Sequence, residues 1–502
     1  MARFRYYNYF LLGLIHTALA LSAQGAGPDI PANQLLIHPA TEGMPRNTNF
    51  TVQVRSPGQE WREIPAYLVK VDQVKDGWHT PQDSSLSFFD FCGTAEVLVN
   101  YNLGGIQSAR VRPLSGGITP KVQGNTIAFS LSQSCNLSVE VNGDIFHNLQ
   151  ILANPMETAR PDPADTNVIY YGPGIHQAGT VRVSSGKTVY LAGGALVQGR
   201  FLINHVENVR ILGRGILYQS RNKALLIESS TNVTVDGITV VPLSYTVQVG
   251  QSRNVAIQNI KSFSAGGNND GIDVFCSTNV LIDGVFLRNS DDCIAIYGHR
   301  WRYYGDVTNV TVRNSTLWAD VAHPILVGTH GDTSNPDTLE DLRFSNLDIL
   351  DQMEPQIDYQ GCLSLNAGDG NLIRNVRFDK IRVEDFRQGQ LVNLRVFYNR
   401  KYNTSPGRGI ENIYLKDLTY NGSHANLSVI AGYDEARKVK NVVFENLVLN
   451  GRVISDQMTK PAWYQTSDMA RFFVGEHVEG LRFLATGETP AAAQPSPTRT
   501  PQ

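Results

Sequence analysis

One phrase returns along the middle of this chain and limits what the chain can fold into. It begins as "ENVRILGRGIL" and recurs as "TNVTVDGITV", "RNVAIQNIKS", "TNVLIDGVFL" and "TNVTVRNSTL", then more loosely to "KNVVFENLVL". Its anchors are Asn208, Asn232, Asn254, Asn279, Asn309, Asp341, Asn375, Asn412 and Asn441. Early anchors lie 24, 22 and 25 residues apart, and later intervals lengthen as loops enter. Between the phrases sits a second repeated run: "ALLI", "TVQV", "GIDV", "CIAI", "PILV", "CLSL", "LVNL" and "LSVI". Its second and fourth positions are apolar in all but the last, while the third varies. Period-two alternation of that kind buries one face of a strand and exposes the other.

Short strands recurring at this period without helical stretches predict a parallel β-helix solenoid. Successive coils then stack about 4.8 Å apart around one aliphatic column. The recurrent asparagine has a structural task in such a fold, because side-chain amides can stack and hydrogen-bond at a turn. A leucine-rich horseshoe would require a different leucine spacing and a helical half-repeat.

The flanks read differently. Residues 1–23 have Arg3 and Arg5 ahead of an apolar run and end near Ala18-Leu19-Ala20, a secretory signal pattern; the run is short for a membrane anchor. Residues 24–155 carry short alternating runs such as "FTVQVRS", "AEVLVNYNL" and "NTIAFSL", which predict a small antiparallel β-sandwich. A Pro- and Asp-rich stretch from 153 to 167 reads as a linker into a solenoid over 156–484, and residues 485–502 form a tail without core-forming residues. A net charge of −3 gives no electrostatic case for nucleic acid or an anionic membrane as partner.

Eight N-x-S/T sequons, at Asn49, Asn136, Asn232, Asn309, Asn314, Asn403, Asn421 and Asn426, agree with secretion, although Asn-Val-Thr also belongs to the repeat. Of the five cysteines, Cys92 and Cys135 are candidates for one bridge, and an odd count leaves at least one without an intramolecular partner. None stands at metal-ligand spacing.

Registering the coils aligns chemistry. The residues just before the stacked strands are Lys223, Tyr245, Asp270, Asp292, His323, Gly361 and Gln390. Asp270, Asp292 and His323 thus share one site on three consecutive coils, with Asp291 adjacent and Asp273 pointing outward. Crowded carboxylates cannot all ionise, so one is held as a proton donor while others stay basic. Splitting a glycosidic bond with water needs that pairing. Calcium is the competing use of such a cluster, but the D-x-D-x-D-G spacing of dense cages is missing.

"NND" with "DGID", then "SDDCIAIY", then "HPILVG", resembles glycoside hydrolase family 28, the pectinase-type right-handed parallel β-helices, whose pattern is N-T-D, D-D-C and G-H-G. Asp270 and Asp291 lie 21 residues apart, similar to that family. The resemblance implies an inverting hydrolase with Asp291 as general acid, Asp270 and Asp292 activating water, His323 assisting, and Asn268 beside the site. Two departures stand out. The glycines of G-H-G are Ala322 and Pro324, and the family's R-I-K strand reads "CLSLN", with Ser364 and Asn366 where Arg and Lys would meet a uronate. Arg395, Arg300 and Arg302 are cations near enough to compensate; Gln248 and Asp273 face outward and join Ser364, Asn366 and Arg395 as candidate substrate contacts.

A sandwich ahead of the solenoid also resembles family 49, the dextranase and isopullulanase group, and implies an α-glucan hydrolase as the alternative. A polysaccharide lyase and a non-catalytic carbohydrate-binding solenoid are the remaining readings. The expectation is a secreted monomer acting on a polysaccharide with no cofactor or metal.

Overall fold

A computed structural model describes residues 33–359 and 361–488. The expected signal segment and all but the first residues of the expected tail lie outside them.

From residue 168 onward thirty strands form one continuous parallel wall, with a single antiparallel hairpin near its end, and this is the parallel β-helix. Its interior shows why the repeat exists. Val233, Val255, Val280, Val310, Leu342, Val376, Ile413 and Val442 stand in register on eight consecutive coils, all buried. Burying each such side chain is worth about 1.5–3 kcal/mol, and no coil could do so alone.

The anchor asparagines run beside this column. Asn208, Asn232, Asn254, Asn279 and Asn309 all take left-handed backbone angles, φ +55° to +60°, which asparagine tolerates better than most residues. Each amide donates to the preceding anchor: Asn232 to Asn208 at 3.2 Å, Asn254 to Asn232 at 3.0 Å, Asn279 to Asn254 at 3.0 Å and Asn309 to Asn279 at 2.8 Å. Asp341 keeps the angle but accepts only, receiving Asn375 at 3.4 Å. The repeated sequons therefore have a structural cause. The amides of Asn232, Asn309 and Asn314 are spent on neighbouring coils, and that of Asn403 is buried against the Thr329 carbonyl.

Residues 34–155 form two facing sheets, one of six strands and one of five. The expectation of an antiparallel sandwich needs one correction, since Leu149–Pro155 pairs parallel with Ser85–Phe91. The strands Trp78–Cys92 and Asp144–Pro155 lie far apart in sequence, and they are buried on both faces where they pair, so neither alternates cleanly. Phe89, Phe91, Leu149 and Ile151 face the sandwich core, while Leu86, Phe88 and Leu152 pack on Leu196, Ile216, Phe263 and Phe286 of the solenoid.

Buried ion pairs fix the two parts together, Arg214 with Asp90 at 3.1 Å and Arg112 with Glu384 at 2.7 Å, and Arg288, paired within the solenoid to Asp320 at 3.0 Å, donates across to the Ile145 carbonyl at 2.8 Å. All five cysteines are unbridged, Cys92 and Cys135 included. Cys135 pairs with Ala153, which pairs with Phe89, so Cys92 lies two strands across and three residues along, well beyond the roughly 7 Å limit for a bridge.

Candidate active site

The strands Ile272–Phe275, Ile294–Tyr297 and Ile325–Gly328 stack with Ile272 beside Ile294 beside Ile325. Backbone bonds carry that register into the preceding turn: Gly271 donates to the Asp292 carbonyl at 2.9 Å and Cys293 to that of His323 at 2.8 Å. Asp270, Asp292 and His323 therefore occupy one position on three successive coils. Gly271 is required here, because a Cβ would meet the Cys293 carbonyl oxygen at 2.3 Å. Tyr245 and Lys223 continue the column one and two coils earlier.

His323 is fully buried and makes two bonds to acceptors. Its Nδ1 donates to Asp292 Oδ1 at 2.7 Å, and its Nε2 donates to the Tyr359 carbonyl. Two acceptors require both ring protons, so the ring is an imidazolium. Burial opposes that charge, but the Asp292 carboxylate and its hydrogen bond prevail and raise the pKa to about 9. Asp292 is held further by the His323 backbone at 3.1 Å and the Tyr297 hydroxyl at 3.2 Å. Both of its carboxyl oxygens thus have fixed donors.

Asp291, next in sequence, is more exposed than Asp292. Burial, followed by the charge of Asp292, lifts its pKa to about 7, while backbone donation from Asp292 (3.0 Å) and from Asn268 pulls the other way. Asp270 and Asp273 form a second pair. Desolvation and then the Asp273 charge push Asp270 well above the usual carboxylate range, and burial raises Asp273 to about 8. Among the described residues no hydrogen-bond donor reaches the Asp273 oxygens, and the two crowded carboxyls raise the cost of ionising both. Adjacent acids thus differ in protonation at one pH, which general acid/base chemistry requires.

The sandwich reaches this site, which no repeat pattern signals. Asp72 Oδ2 accepts the Gly266 amide at 3.0 Å and pairs with His79 Nδ1 at 2.6 Å, while the Asp72 amide donates to Asp320 at 3.1 Å. The pinned loop ends in Asn268, Asn269 and Asp270; inside it, Asn269 Nδ2 donates to the Ala265 carbonyl at 2.6 Å.

The remaining expected residues separate. Asn268 is exposed at the rim, with φ +57°. Gln248 is buried, and its Nε2 donates to the Tyr303 hydroxyl at 2.8 Å. Ser364 and Asn366 face outward on their strand yet are fully buried, Asn366 Nδ2 donating to Ser364 Oγ at 2.7 Å, so neither reaches the groove surface. Arg395 turns to the Asp358 carbonyl at 2.8 Å. Sequence reasoning passed over Tyr297 and Tyr359, whose only signal was position: one lies five residues past Asp292, the other four before the strand Leu363–Ala367.

Comparison with known proteins follows this geometry. The model of the glycosyl hydrolases family 28 matches residues 212–461, which include the whole acidic column. A probable endopolygalacturonase D of Neosartorya fischeri is 26% identical over 228 residues, 45% of this chain and 43% of that protein. Endopolygalacturonase B of Aspergillus niger is 25% identical over 191 residues, 38% of this chain and 46% of that one. The matches thus span less than half the length of these relatives. Among solved structures, Dex49A from Penicillium minioluteum aligns with a TM-score of 0.62 at 13% identity, over 90% of this chain and 96% of that one. A family 28 exopolygalacturonase from Yersinia enterocolitica aligns at 0.50 and 13% identity, over 79% and 97%. At such identities these two establish the fold. The kinship rests on the sequence match, which is to the glycosyl hydrolases family 28 over residues 212–461, just under half of this chain.

Proposed function

We propose that this protein is a secreted, monomeric, inverting polysaccharide hydrolase of the polygalacturonase type, working by aspartate acid/base catalysis without a cofactor. The observation that carries this reading is the unlike surroundings of two neighbours: Asp292 is held by His323 and the Tyr297 hydroxyl, and Asp291, raised to about 7, stands beside it. Asp291 protonates the leaving glycosidic oxygen. Asp292 takes a proton from the attacking water, and Asp270 with Asp273 orients that water. His323 is sealed from the groove, so it acts by fixing the charge of Asp292 and touches no substrate. Extraction from one face and attack from the other give inversion.

The test is reducing-sugar release from polygalacturonate, rhamnogalacturonan, dextran and pullulan, with product anomers followed by NMR. Hydrolysis with inversion, lost in Asp291→Asn, is expected. Retained activity in Asp291→Asn overturns the assignment, and an unsaturated product absorbing in the ultraviolet overturns hydrolysis in favour of elimination. Release from dextran or pullulan alone supports the α-glucan alternative, which the sandwich-plus-solenoid layout shared with Dex49A favours.

A further inference from the structure

The column that carries the acids is open on one side of them and shut on the other. Lys223, Tyr245 and Asp270 are half-buried on three successive coils. Past the acids His323 is 0% exposed, Gly361 is buried, and Gln390 is 2% exposed. One coil further Asn426, which pairs with Gln390, is exposed again, so the closure is a local barrier. We propose that the groove is blind just past His323, and that the protein therefore removes units from a chain end instead of cutting within a chain. This rests on the hydrolase reading and adds its mode of attack.

Two segments outside the repeat build the barrier. Residues 352–359 follow the strand Thr338–Asp351, and residues 397–404 follow Val392–Val396. The first is pinned to the coils beneath it: Gln390 Nε2 donates to the Ile357 carbonyl at 3.1 Å, and the Arg395 guanidinium to the Asp358 carbonyl at 2.8 Å. The second is tied to the first, since the Tyr402 hydroxyl and Lys401 Nζ each donate to Gln356 Oε1 at 2.9 Å. Between them the Tyr359 ring stands edge-on to His323 at 4.6 Å and stacks on Tyr402 at 4.5 Å. Tyr359 and Phe397 belong to one buried cluster with Leu326, which faces outward on the His323 coil.

The barrier is two side-chain layers deep. Ser364, Asn366 and Asn393 face outward on the next coils and are fully buried, the rings lie above them, and Ile357 on the outside is 73% exposed. A sugar passing this way would have to separate stacked rings and break the bonds that hold both segments, in a region packed without room for a ring. Coils are about 4.8 Å apart, so the barrier begins one step past Asp292. On the other side a cavity of about 1180 Å³ opens over the earlier coils, with Lys223, Leu226, Gln248 and Trp301 in its lining. A chain held across the acids can extend only that way, and its end rests against Tyr359. Cleavage within a chain needs an exit on both sides.

Binding to the Asp291→Asn protein tests the barrier without turnover. Probes are oligosaccharides from the four polysaccharides named above, each untagged or bearing a bulky fluorescent group on one end or the other. Expected is a roughly tenfold or greater loss of affinity when one particular end is tagged, and little change when the other is. Adding Tyr402→Ala, which removes the ring stacked on Tyr359, should recover binding of the excluded form, whereas Tyr402→Phe should not. Unchanged unfolding midpoints show that both variants fold. Equal affinity for the two tagged forms overturns the blind groove. In the active protein, reducing ends should accumulate with little fall in viscosity and with products of one size. A rapid fall in viscosity with products of mixed length sinks this inference and leaves hydrolysis standing. End-selective binding without hydrolysis of any glycan sinks the hydrolase reading and leaves the blind groove standing.

Discussion

Two columns of polar side chains climb this solenoid on the same coils, and they solve opposite problems. In the asparagine ladder each amide donates to the one before it and accepts from the one after, so the column satisfies itself and carries no charge. In the other column Lys223, Tyr245, Asp270, Asp292 and His323 are mixed, with like acids on adjacent coils and only Asp292 and His323 joined by a hydrogen bond. The repeat supplies one position per coil in both cases. Uniform residues there convert stacking into stability, while mixed and like-charged residues convert it into perturbed protonation, which stability must offset. Substitutions should therefore separate the two: changes in the mixed column cost activity, and changes in the ladder cost stability.

The largest separation is expected from Asp292→Asn. It removes the proposed base while keeping shape, so kcat should fall about 10³-fold, in the range associated with one acid/base group. The thermal midpoint should fall by only a few degrees, because the lost pairing with His323 is partly offset by removal of a like charge beside Asp291 and by deprotonation of the ring, so the enzyme stays folded under assay conditions. A variant that lost activity only in proportion to its unfolding would break the distinction.

Next comes the pH dependence of stability. His323 is raised to about 9 from an ordinary 6.5, so its contribution is complete below pH 6.5 and is lost as pH rises through 9, about 3 kcal/mol in all. Asp291 and Asp273 have the same sign: raised to about 7 and about 8, they favour the fold below the usual carboxylate range and lose that contribution as pH climbs through those values. The unfolding midpoint should fall steadily from pH 5 to pH 9, and Asp291→Asn should flatten the slope. Activity should decline above pH 7 as Asp291 gives up its proton. A midpoint that rises over this window would contradict the raised Asp291, Asp273 and His323.

The ladder responds differently. Asn254→Ala removes the bond to Asn232 and the one from Asn279, and places alanine at φ +55°. A loss of about 2 kcal/mol is expected at every pH, with kcat unchanged, because no titrating group is touched. Urea unfolding at pH 5 and pH 9 would check that the two curves shift together.

These contrasts also explain what could be read in advance. The period of the Asn-Val phrase, once aligned, placed Asp270, Asp292 and His323 together because stacking leaves no freedom of register. It could not show that Ser364, Asn366, Asp273 and Gln248 are buried, since alternation reports which face a side chain takes and is silent on what folds over that face. Tyr359, whose carbonyl receives His323, comes from an insertion outside the repeat. Asp72 and His79 come from the sandwich, 194 residues before the Gly266 amide that Asp72 holds, with no periodic signal to link them. The parallel pairing of Leu149–Pro155 was hidden for a related reason, because a strand covered on both sides has no polar face to alternate with.

The smallest effect tests where the columns meet. Ala322, in place of the first glycine of the family's G-H-G pattern, keeps a glycine-like φ of +63° without the side-chain amide that makes such an angle tolerable in the ladder. Its amide donates to the Met353 carbonyl at 2.9 Å, and its neighbour's amide to Asp292 at 3.1 Å, so the turn cannot relax without disturbing the base. Ala322→Gly should relieve about 1–2 kcal/mol of backbone strain and give back about 0.5–1 kcal/mol through the freer unfolded chain. A net gain of up to about 1 kcal/mol, with kcat within twofold, is the expected outcome in a chemical unfolding curve. A net loss would mean that the buried methyl group, packed beside Met353, contributes more than the strain removes, and that this turn is supported by packing as the aliphatic column is.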